Sequence, residues 1–456
     1  MIGAGSSGLP VVKAVRELGV AVECFERGSD VGGLWRYEND SELSSAYRSL
    51  RTNVSSARMG YPSFPLPTSF GDFAHHTEMA QYLSAYTDSF GLREHIRFRT
   101  SVERLDPGEG GGWCLRLQDD TVRRFDAVVV AVGHDWCPKL PAYPGVFAGH
   151  ASHSHHYRTP EPFAGRRVLV VGSGPSAAEI AVEVAGVAAR TCMSVRSGAH
   201  VIPRSVGGRP YDASDREPHN RMPWRLLNAR YGRAVAHELG PLPPSWPLPS
   251  HRLLEGIPII SSDLLPAMRR GAVTARPAVE RLAGDRVRFT DATDEEFDAI
   301  IYATGYQLSL PFLAPGLVSV NGREVALYRR IVPPGVPAGL FFAGCVDAPG
   351  GLLPLVETQG DWIAAVLGGR LVLPTTGRMW RAIARAERRT GRRFPDETPL
   401  SIRCDPHAYR RLLRSDLRRA ARRTLRPRLR PGSGQPLARY RFGLVGPPAR
   451  HESERG

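Results

Sequence analysis

Three glycines and one glutamate near the start of the chain have the spacing of a phosphate-binding turn. Gly3, Gly5 and Gly8 form G-x-G-x-x-G in MIGAGSSG, and the apolar pattern that follows predicts a helix. In such a turn the backbone approaches a pyrophosphate, and the N–H groups at the helix N-terminus attract its charge. Glu26 ends the next predicted strand, where its carboxylate can accept hydrogen bonds from a ribose diol. This first unit therefore predicts a dinucleotide site.

A second turn of the same kind follows a predicted strand at 168–171 in RRVLVVGSGPSAAEI. Gly172, Gly174 and Ala177 open a predicted helix, and the strand after it ends at Arg196. A base thus stands where the first unit has an acid, and a guanidinium can pair with a 2′-phosphate. This second unit is predicted to select NADPH over NADH, with an ordinary surface arginine as the alternative interpretation of Arg196.

Two similar segments close the two units. FDAVVVAVGH (125–134) follows the first unit and FDAIIYATGY (297–306) follows the second, each a short apolar run that favours a buried strand over a helix. We therefore predict an α/β fold with two Rossmann-like, three-layer dinucleotide-binding domains, the NADPH domain being inserted into a discontinuous FAD domain. The predicted parts are 1–158 for FAD, 159–302 for NADPH with a helical insertion at about 210–255, and 303–456 for FAD with basic C-terminal helices.

The first predicted strand is short. Only two residues precede Gly3, whereas RRVLVV precedes the glycines of the second unit. A missing central strand would leave its two neighbours unpaired and the glycine turn unsupported. We expect either that the true start lies upstream or that FAD affinity is reduced.

Composition limits the class of protein. The 456 residues include six cysteines without a C-x-x-C pair, and no run approaches the ~20 apolar residues of a membrane span. With no secretion signal, these features predict a cytoplasmic protein. Much of the net charge of +15 comes from residues 403–430, which contain eleven arginines and two acidic residues. Tyr409 is the one aromatic residue in this stretch and no nucleic-acid motif accompanies it, so it is interpreted as solvated basic helices, with no nucleic-acid partner.

Four histidines stand within seven positions of FAGHASHSHHYR, which raises the question of a metal site. Histidines at 150, 153, 155 and 156 in an irregular linker do not have the usual ligand spacing, so no metal is predicted.

The same stretch carries a resemblance to a known family. Phe147, Gly149, His153 and Tyr157 match F-x-G-x-x-x-H-x-x-x-[YF], the identifying pattern of the flavin-containing monooxygenases, which are class B flavoprotein monooxygenases. The chain is similar to this family over nearly its full length, including GGLWRY, YRSLRTN, the ATGY box and YRFGLVGP near the C-terminus. The resemblance implies that His153 and Tyr157 lie in a linker that holds the two units at a fixed angle.

The activity implied by the resemblance is that of an FAD- and NADPH-dependent monooxygenase similar to N,N-dimethylaniline monooxygenase. NADPH reduces FAD, O2 adds to form a C4a-hydroperoxyflavin, and one oxygen passes to a soft nitrogen or sulfur nucleophile of a small organic substrate. The oligomeric state stays open.

The resemblance also implies roles for particular residues. Asn53 is the implied catalytic side chain, lying beside both cofactors and holding the peroxide proton; an asparagine that only caps a turn is the alternative. The implied cofactor contacts are Gly3, Ala4, Gly5, Ser6, Ser7 and Gly8 for the FAD pyrophosphate turn, Glu26 for its ribose, Leu34 and Trp35 beside the flavin, Thr52 and Asn53 near both cofactors, and Gly172, Gly174, Ser176, Ala177, Arg196 and Gly305 for NADPH.

Three other functions remain open at this point. A Baeyer–Villiger monooxygenase would oxygenate a ketone, although its pattern typically ends in Trp-Pro where this chain has Tyr157-Arg158. An N-hydroxylating monooxygenase shares the two-unit plan but usually lacks the linker pattern. A non-catalytic flavin-binding protein would fit if the short N-terminus were genuine.

Overall fold

The computed structural model describes residues 1–213, 224–253, 255–256, 258–395 and 398–424. None of the helices in these residues has the length and apolar content needed to cross a bilayer. The described part of the insertion expected at 210–255 includes one helix, whereas YRFGLVGP lies outside the described residues. The α-helices are α1 (Leu9–Arg16), α2 (Ser56–Met59), α3 (His76–Ser89), α4 (Pro175–Val184), α5 (Trp224–Leu239), α6 (Leu264–Arg269), α7 (Leu353–Leu367), α8 (Thr376–Arg393) and α9 (Pro406–Thr424).

The first unit is built on a parallel sheet, here called the first sheet. Ile2 occupies its centre as a single bridging residue, paired in parallel with Phe25 on one side and Val130 on the other. The ladder on the Phe25 side runs from Met1 to Gly3, with 2.9 Å from Phe25 N to Met1 O and 2.8 Å from Gly3 N to Phe25 O. The order across the sheet is Ile96–Arg97, Cys24–Phe25, Ile2, Val128–Val130 and Leu340–Phe342.

The second unit is built on a five-stranded parallel sheet, the second sheet. Its edge strand, His150–His153, pairs with Ala299–Tyr302. The second sheet therefore starts before residue 159, the predicted domain boundary, because part of the linker joins the sheet. The order is Val273–Arg276, Arg190–Ser194, Arg167–Val171, Ala299–Tyr302 and His150–His153.

Each parallel sheet lies between helices and a smaller, largely antiparallel sheet. Val129 packs in the core with α1 and α7, whereas its neighbours Val128 and Val130 face the opposite core. Val168 and Val170 likewise face α4 and α6, while Leu169 and Val171 face the other side. Neighbouring residues of each central strand thus face alternate sides of the sheet, and both sides are covered. This arrangement confirms the predicted α/β fold with two three-layer Rossmann-like units. The smaller sheets consist of Val102–Pro107, Trp113–Leu117 and Val122–Phe125 in the first unit and of Gly145–Phe147, Val279–Gly284, Arg286–Phe289 and Asp294–Glu296 in the second.

Helix α7 brings the chain back to the first unit. Gly360 lies so close to α1 that an added Cβ would stand 2.8 Å from the Pro10 carbonyl oxygen. Helix α9 packs on α7, and Trp362 of α7 is fully buried in the same core. Four two-stranded ladders complete the fold: Cys137–Pro138 with Tyr306–Gln307, Val201–Ile202 with Ile259–Ile260, Ser205–Val206 with Arg209–Pro210, and Val320–Asn321 with Glu324–Val325.

Candidate functional site

A cavity of about 380 Å³ lies at the carboxyl end of the first sheet, next to the turn that precedes α1. The bend requires glycine at Gly3, because its φ is +98° and an added Cβ would stand 2.7 Å from the Ala131 carbonyl oxygen. The chain here leaves the sheet and enters the helix, so backbone N–H groups of the turn face the cavity region. The predicted residues that line this cavity are Gly3, Gly5, Ser6, Ser7, Glu26 and Leu34.

Ala4 and Gly8 support this turn without lining the cavity. The Ala4 N–H donates to Oε2 of Glu26 at 2.7 Å. Gly8 packs against the turn so closely that an added Cβ would stand 2.0 Å from the Gly3 carbonyl oxygen. Their role in the structure is therefore to hold the turn in place.

Glu26 presents a buried carboxylate at the cavity wall. Its Oε1 accepts from the Gly28 N–H at 2.8 Å, while Oε2 accepts from Ala4. Burial raises the pKa of this carboxyl, and the two N–H donors oppose that rise by favouring the ionised form. Each carboxylate oxygen has a further lone pair, so the group can also accept from a ligand hydroxyl.

A larger cavity of about 810 Å³ lies at the carboxyl end of the second sheet. Gly172 repeats the geometry of Gly3, since its φ is +146° and an added Cβ would stand 2.3 Å from the Ala303 carbonyl oxygen. A Cβ at Gly174 would meet no atom within 4 Å, so this glycine leaves open space at the start of α4. The predicted residues that line this cavity are Leu34, Trp35, Asn53, Gly172, Gly174, Ser176, Arg196 and Gly305.

Ala177 and Arg196 occupy contrasting places in the second unit. Ala177 is fully buried behind the turn, where its Cβ is 3.4 Å from the position that a Cβ on Gly172 would take. Arg196 is exposed at the cavity wall and lies two residues after the strand Arg190–Ser194. The strand thus ends two residues earlier than predicted, and Arg196 follows it as a solvent-exposed residue.

The two cavities meet at Leu34 and Asp135, which line both. Asn53 also lines the larger cavity, and its buried Oδ1 has no hydrogen-bond partner among the described residues. Its neighbour Thr52 is buried, and the Thr52 Oγ1 is likewise without a partner in the described part of the chain. Buried polar atoms are normally paired, so the Asn53 Oδ1 is a candidate acceptor for a molecule bound in the larger cavity, whereas Thr52 lines neither of the two cavities.

The histidine-rich linker contributes packing and hydrogen bonds. His153 is buried, accepts from the His155 N–H at 3.0 Å and packs edge-on against Tyr306. Burial lowers the pKa of His153 to about 4. Across the residues that the structure describes, His, Cys, Asp and Glu side chains form no group of three or more suited to a metal ion.

Tyr157 joins the two units. Its hydroxyl donates to Oε2 of Glu183 on α4 at 2.7 Å. Its ring packs edge-on against Tyr47 of the first unit, with 5.8 Å between centroids. This placement agrees with a linker that fixes the angle between the units.

Sequence reasoning missed a polar cluster at the larger cavity, which Tyr47 lines. Tyr47 and Arg204 both hydrogen-bond to the carboxylate of Glu179 on α4. Tyr47 lies in the quoted YRSLRTN segment, but Glu179 and Arg204 carry no local signal that separates them from ordinary surface residues.

A second missed cluster lines the larger cavity near Asn53. Arg323 donates to Oδ1 of Asp135 at 3.3 Å and to Oδ2 of Asp347 at 3.1 Å. Burial by itself would raise the pKa of Asp347, but Arg403 and Arg323 more than offset it and hold the pKa below its usual range. The cluster places fixed charges at the wall of the cavity.

The residues present fit two dinucleotides. Each cavity has a glycine turn at a helix N-terminus, the first has an acid after the second strand and the second has a base there. The open space at Gly174 and the unpartnered amide oxygen of Asn53 give room and a hydrogen-bond acceptor for bound groups.

Comparison with known proteins agrees with this geometry. A family model described as flavin-binding monooxygenase-like matches residues 1–411. The chain is 34% identical over 410 residues to dimethylaniline monooxygenase [N-oxide-forming] 2 of Rattus norvegicus, covering 84% of this chain and 76% of the relative. It is 32% identical over 437 residues to flavin-containing monooxygenase 5 of Oryctolagus cuniculus, covering 89% and 80%.

Solved structures share the fold. S-allyl-L-cysteine S-oxygenase from Allium sativum superposes with a TM-score of 0.68 at 27% identity, covering 91% of this chain and 87% of that one. Cyclohexanone monooxygenase from Rhodococcus sp. Phi1, bound to NADP+, gives a TM-score of 0.65 at 18% identity, covering 92% and 97%.

Proposed function

Because this chain belongs to the flavin-binding monooxygenase-like family, we propose that its two cavities serve one oxygenation reaction. The protein is a flavin-dependent monooxygenase whose cofactors are FAD and NADPH. Its reactants are a small molecule and O2. The observation that carries the proposal is the wall shared at Leu34 and Asp135, because one site can exchange electrons with the other only where the two adjoin.

FAD is assigned to the first cavity and NADPH to the second. Glu26 would accept hydrogen bonds from the FAD ribose, and the turn from Gly3 to Ser7 would face its pyrophosphate. Gly174 and Ser176 would face the NADPH pyrophosphate, and Arg196 would pair with the 2′-phosphate. The FAD domain would then comprise 1–158 and 303–456, and the NADPH domain 159–302. The strand His150–His153 lies in the first of these FAD segments but pairs with the second sheet.

When bound, the flavin takes electrons from NADPH and activates O2 for transfer to the substrate. The chain supplies binding, orientation and exclusion of water. Leu34 and Trp35 place apolar walls where the cavities meet. The side-chain amide of Asn53 can accept a hydrogen bond at Oδ1, which has no partner in the described residues, while its Nδ2 can donate to a bound oxygen atom.

The substrate is a soft nucleophile, a tertiary amine or a thioether. Support comes from relatives whose names record N-oxide formation and S-oxygenation. The linker ends in Tyr157-Arg158 rather than the Trp-Pro of ketone-oxidising enzymes, which also favours nitrogen or sulfur. The protein is assigned to the cytoplasm, a proposal supported by its six free thiols.

The test starts with purified protein and its visible absorbance. Flavin should be present, should lose its absorbance on addition of NADPH without O2, and should regain it with air. NADPH consumption is then followed with trimethylamine, a dialkyl sulfide and cyclohexanone, and products are identified by mass spectrometry. An N-oxide or sulfoxide formed from O2 is expected; a lactone as the main product would replace the proposal with ketone oxygenation, and flavin that NADPH cannot reduce would end it.

A further inference from the structure

The loop at 52–55, here called the Asn53 loop, is held by three hydrogen bonds from far along the chain. Nη1 of Arg204 donates to the Thr52 carbonyl oxygen at 2.8 Å. The Tyr211 hydroxyl donates to the Asn53 carbonyl oxygen at 2.8 Å. Oδ2 of Asp212 accepts from the Ser55 N–H at 2.9 Å. All three partners come from one segment of the second unit, residues 204–212, here called the clamp segment.

These contacts fix the backbone on both sides of Asn53, whereas its side-chain oxygen has no partner in the described residues. The direction of the Asn53 amide therefore depends on the backbone that carries it. A rotamer on a fixed backbone points into the cavity at a defined angle, and a shift of about 1 Å at a reacting centre can cost about a hundredfold in rate.

The clamp segment is itself anchored in the second unit. Arg204 pairs with Glu179 of α4 and lies over the Phe73 ring, 5.2 Å from its centroid. Burial raises the pKa of Glu179, while Arg204 and the Tyr47 hydroxyl favour its ionised form.

A further hydrogen bond anchors the other end of the clamp segment. The carbonyl oxygen of Tyr211 accepts from the Tyr231 hydroxyl of α5 at 3.1 Å. Asp212 is 7% exposed, so its carboxylate contacts the loop away from bulk water. Helix α4, whose first turn lines the larger cavity, is thereby linked to the loop through Glu179 and Arg204.

We propose that Arg204, Tyr211 and Asp212 are positioning residues. They hold the backbone of Asn53 so that its side chain lies where the two cavities meet. This inference rests on the proposed function of Asn53. The catalytic asparagine belongs to the first unit, but its orientation is set by the second unit, so oxygen transfer requires the two units to be correctly docked.

The test uses Tyr211→Phe, which removes one hydroxyl and keeps the ring. FAD content and the rate of flavin reduction by NADPH should stay within twofold of the wild type. Product formed per NADPH should fall by about threefold to tenfold, the range for loss of one hydrogen bond, with H2O2 rising to match. Asp212→Ala should act in the same direction. Tyr328→Phe, which alters a buried tyrosine in the core of the first unit, is the matched control and should change none of these quantities.

A double-mutant cycle separates positioning from general damage. In an Asn53→Ala background Tyr211→Phe should cause no further loss of product per NADPH, because the clamp acts through that side chain. A loss of equal size in both backgrounds would overturn the proposal.

Hydrogen exchange of the Asn53 loop gives a readout that does not depend on turnover. In Asp212→Ala the Ser55 amide loses its acceptor and should exchange at least about tenfold faster than in the wild type. If the Ser55 amide of Asp212→Ala exchanges at the wild-type rate, the proposal that the clamp segment holds this loop is wrong. If the wild type forms no oxygenated product, the proposed function fails while hydrogen exchange still reports whether the clamp exists.

Discussion

The Ala4 N–H donates to Oε2 of Glu26 at 2.7 Å, which ties the glycine turn of the first unit to the acid at the end of the next strand. The other carboxylate oxygen accepts from the Gly28 N–H at 2.8 Å. One side chain therefore fixes two backbone segments at the wall of the smaller cavity. The Glu26 carboxylate therefore holds the backbone at Ala4 and Gly28 in place without a bound ligand.

Glu26→Gln should weaken FAD binding by at least about tenfold. The amide nitrogen must face one of the two N–H donors, which leaves a buried donor unsatisfied at a cost of about 1–3 kcal/mol and removes a ribose acceptor. FAD per protein and the dissociation constant from fluorescence titration of apoprotein measure the effect. Glu109→Gln, on an exposed turn, is the control, and equal FAD affinity in both variants would contradict the role of Glu26.

Asn53→Ala should retain FAD but lose oxygenated product by about tenfold or more relative to NADPH consumed. The reason is the loss of a preorganised donor and acceptor where the cavities meet, a kind of change that typically costs about a hundredfold. Product by mass spectrometry and H2O2 by a peroxidase assay are compared with NADPH consumption. Asn53→Asp keeps the shape but not the donor, and oxygenation at the wild-type level in both variants would exclude a chemical role for Asn53.

The glycine turns and the returning helix could be predicted from the sequence because each is a local pattern. The apolar content and length of LPLVETQGDWIAAVL favour a helix, and α7 spans these residues, Leu353–Leu367. The bends at Gly3 and Gly172 follow from backbone conformations that glycine adopts at low cost.

Features that depend on distant residues could not be predicted. The predicted strand that ends at Glu26 covers VAVECFE, whereas the strand in the structure is Cys24–Phe25, and the pairing beside it runs from Met1 to Gly3. The contacts of Arg204 with Thr52 and of Asp212 with Ser55 cross more than 150 positions, and each side chain is of a common surface type. Only the folded chain brings them together.

Arg196→Gln should raise the KM for NADPH by about tenfold to a hundredfold and leave the KM for NADH nearly unchanged. A guanidinium–phosphate pair is charge-assisted, and its loss affects only the nucleotide that carries the 2′-phosphate. Steady-state kinetics with both nucleotides measure the change. Arg281→Gln, an exposed arginine in the same unit, should leave both values as they are. An equal change in the KM for NADPH and for NADH in Arg196→Gln would show that the guanidinium does not bind the 2′-phosphate.

Acidification should destabilise the linker through His153. Burial lowers the pKa of His153 to about 4 from its ordinary 6.5, so the unfolded chain takes up a proton that the folded chain does not. Its contribution to stability is present above pH 6.5 and is lost as the pH falls from about 6.5 to about 4, on the order of 3 kcal/mol in all. Denaturant unfolding at pH 7 and pH 5 measures the loss. His153→Asn keeps an acceptor for the His155 N–H and should flatten this dependence; a dependence as steep as that of the wild type would assign it to other groups.

Gly172→Ala and Gly174→Ala should have different effects although the two positions are two residues apart. At Gly172 the φ of +146° and the carbonyl oxygen of Ala303, 2.3 Å from an added Cβ, make any side chain strained, so we expect a loss of about 3 kcal/mol or more. At Gly174 an added Cβ meets nothing within 4 Å, so the fold should keep its unfolding midpoint. The same methyl group would occupy the space through which a pyrophosphate approaches the first turn of α4, and the KM for NADPH should rise severalfold. Thermal unfolding and steady-state kinetics on both variants test the pair. A stable Gly174→Ala variant with the wild-type KM would mean that NADPH does not approach the backbone here.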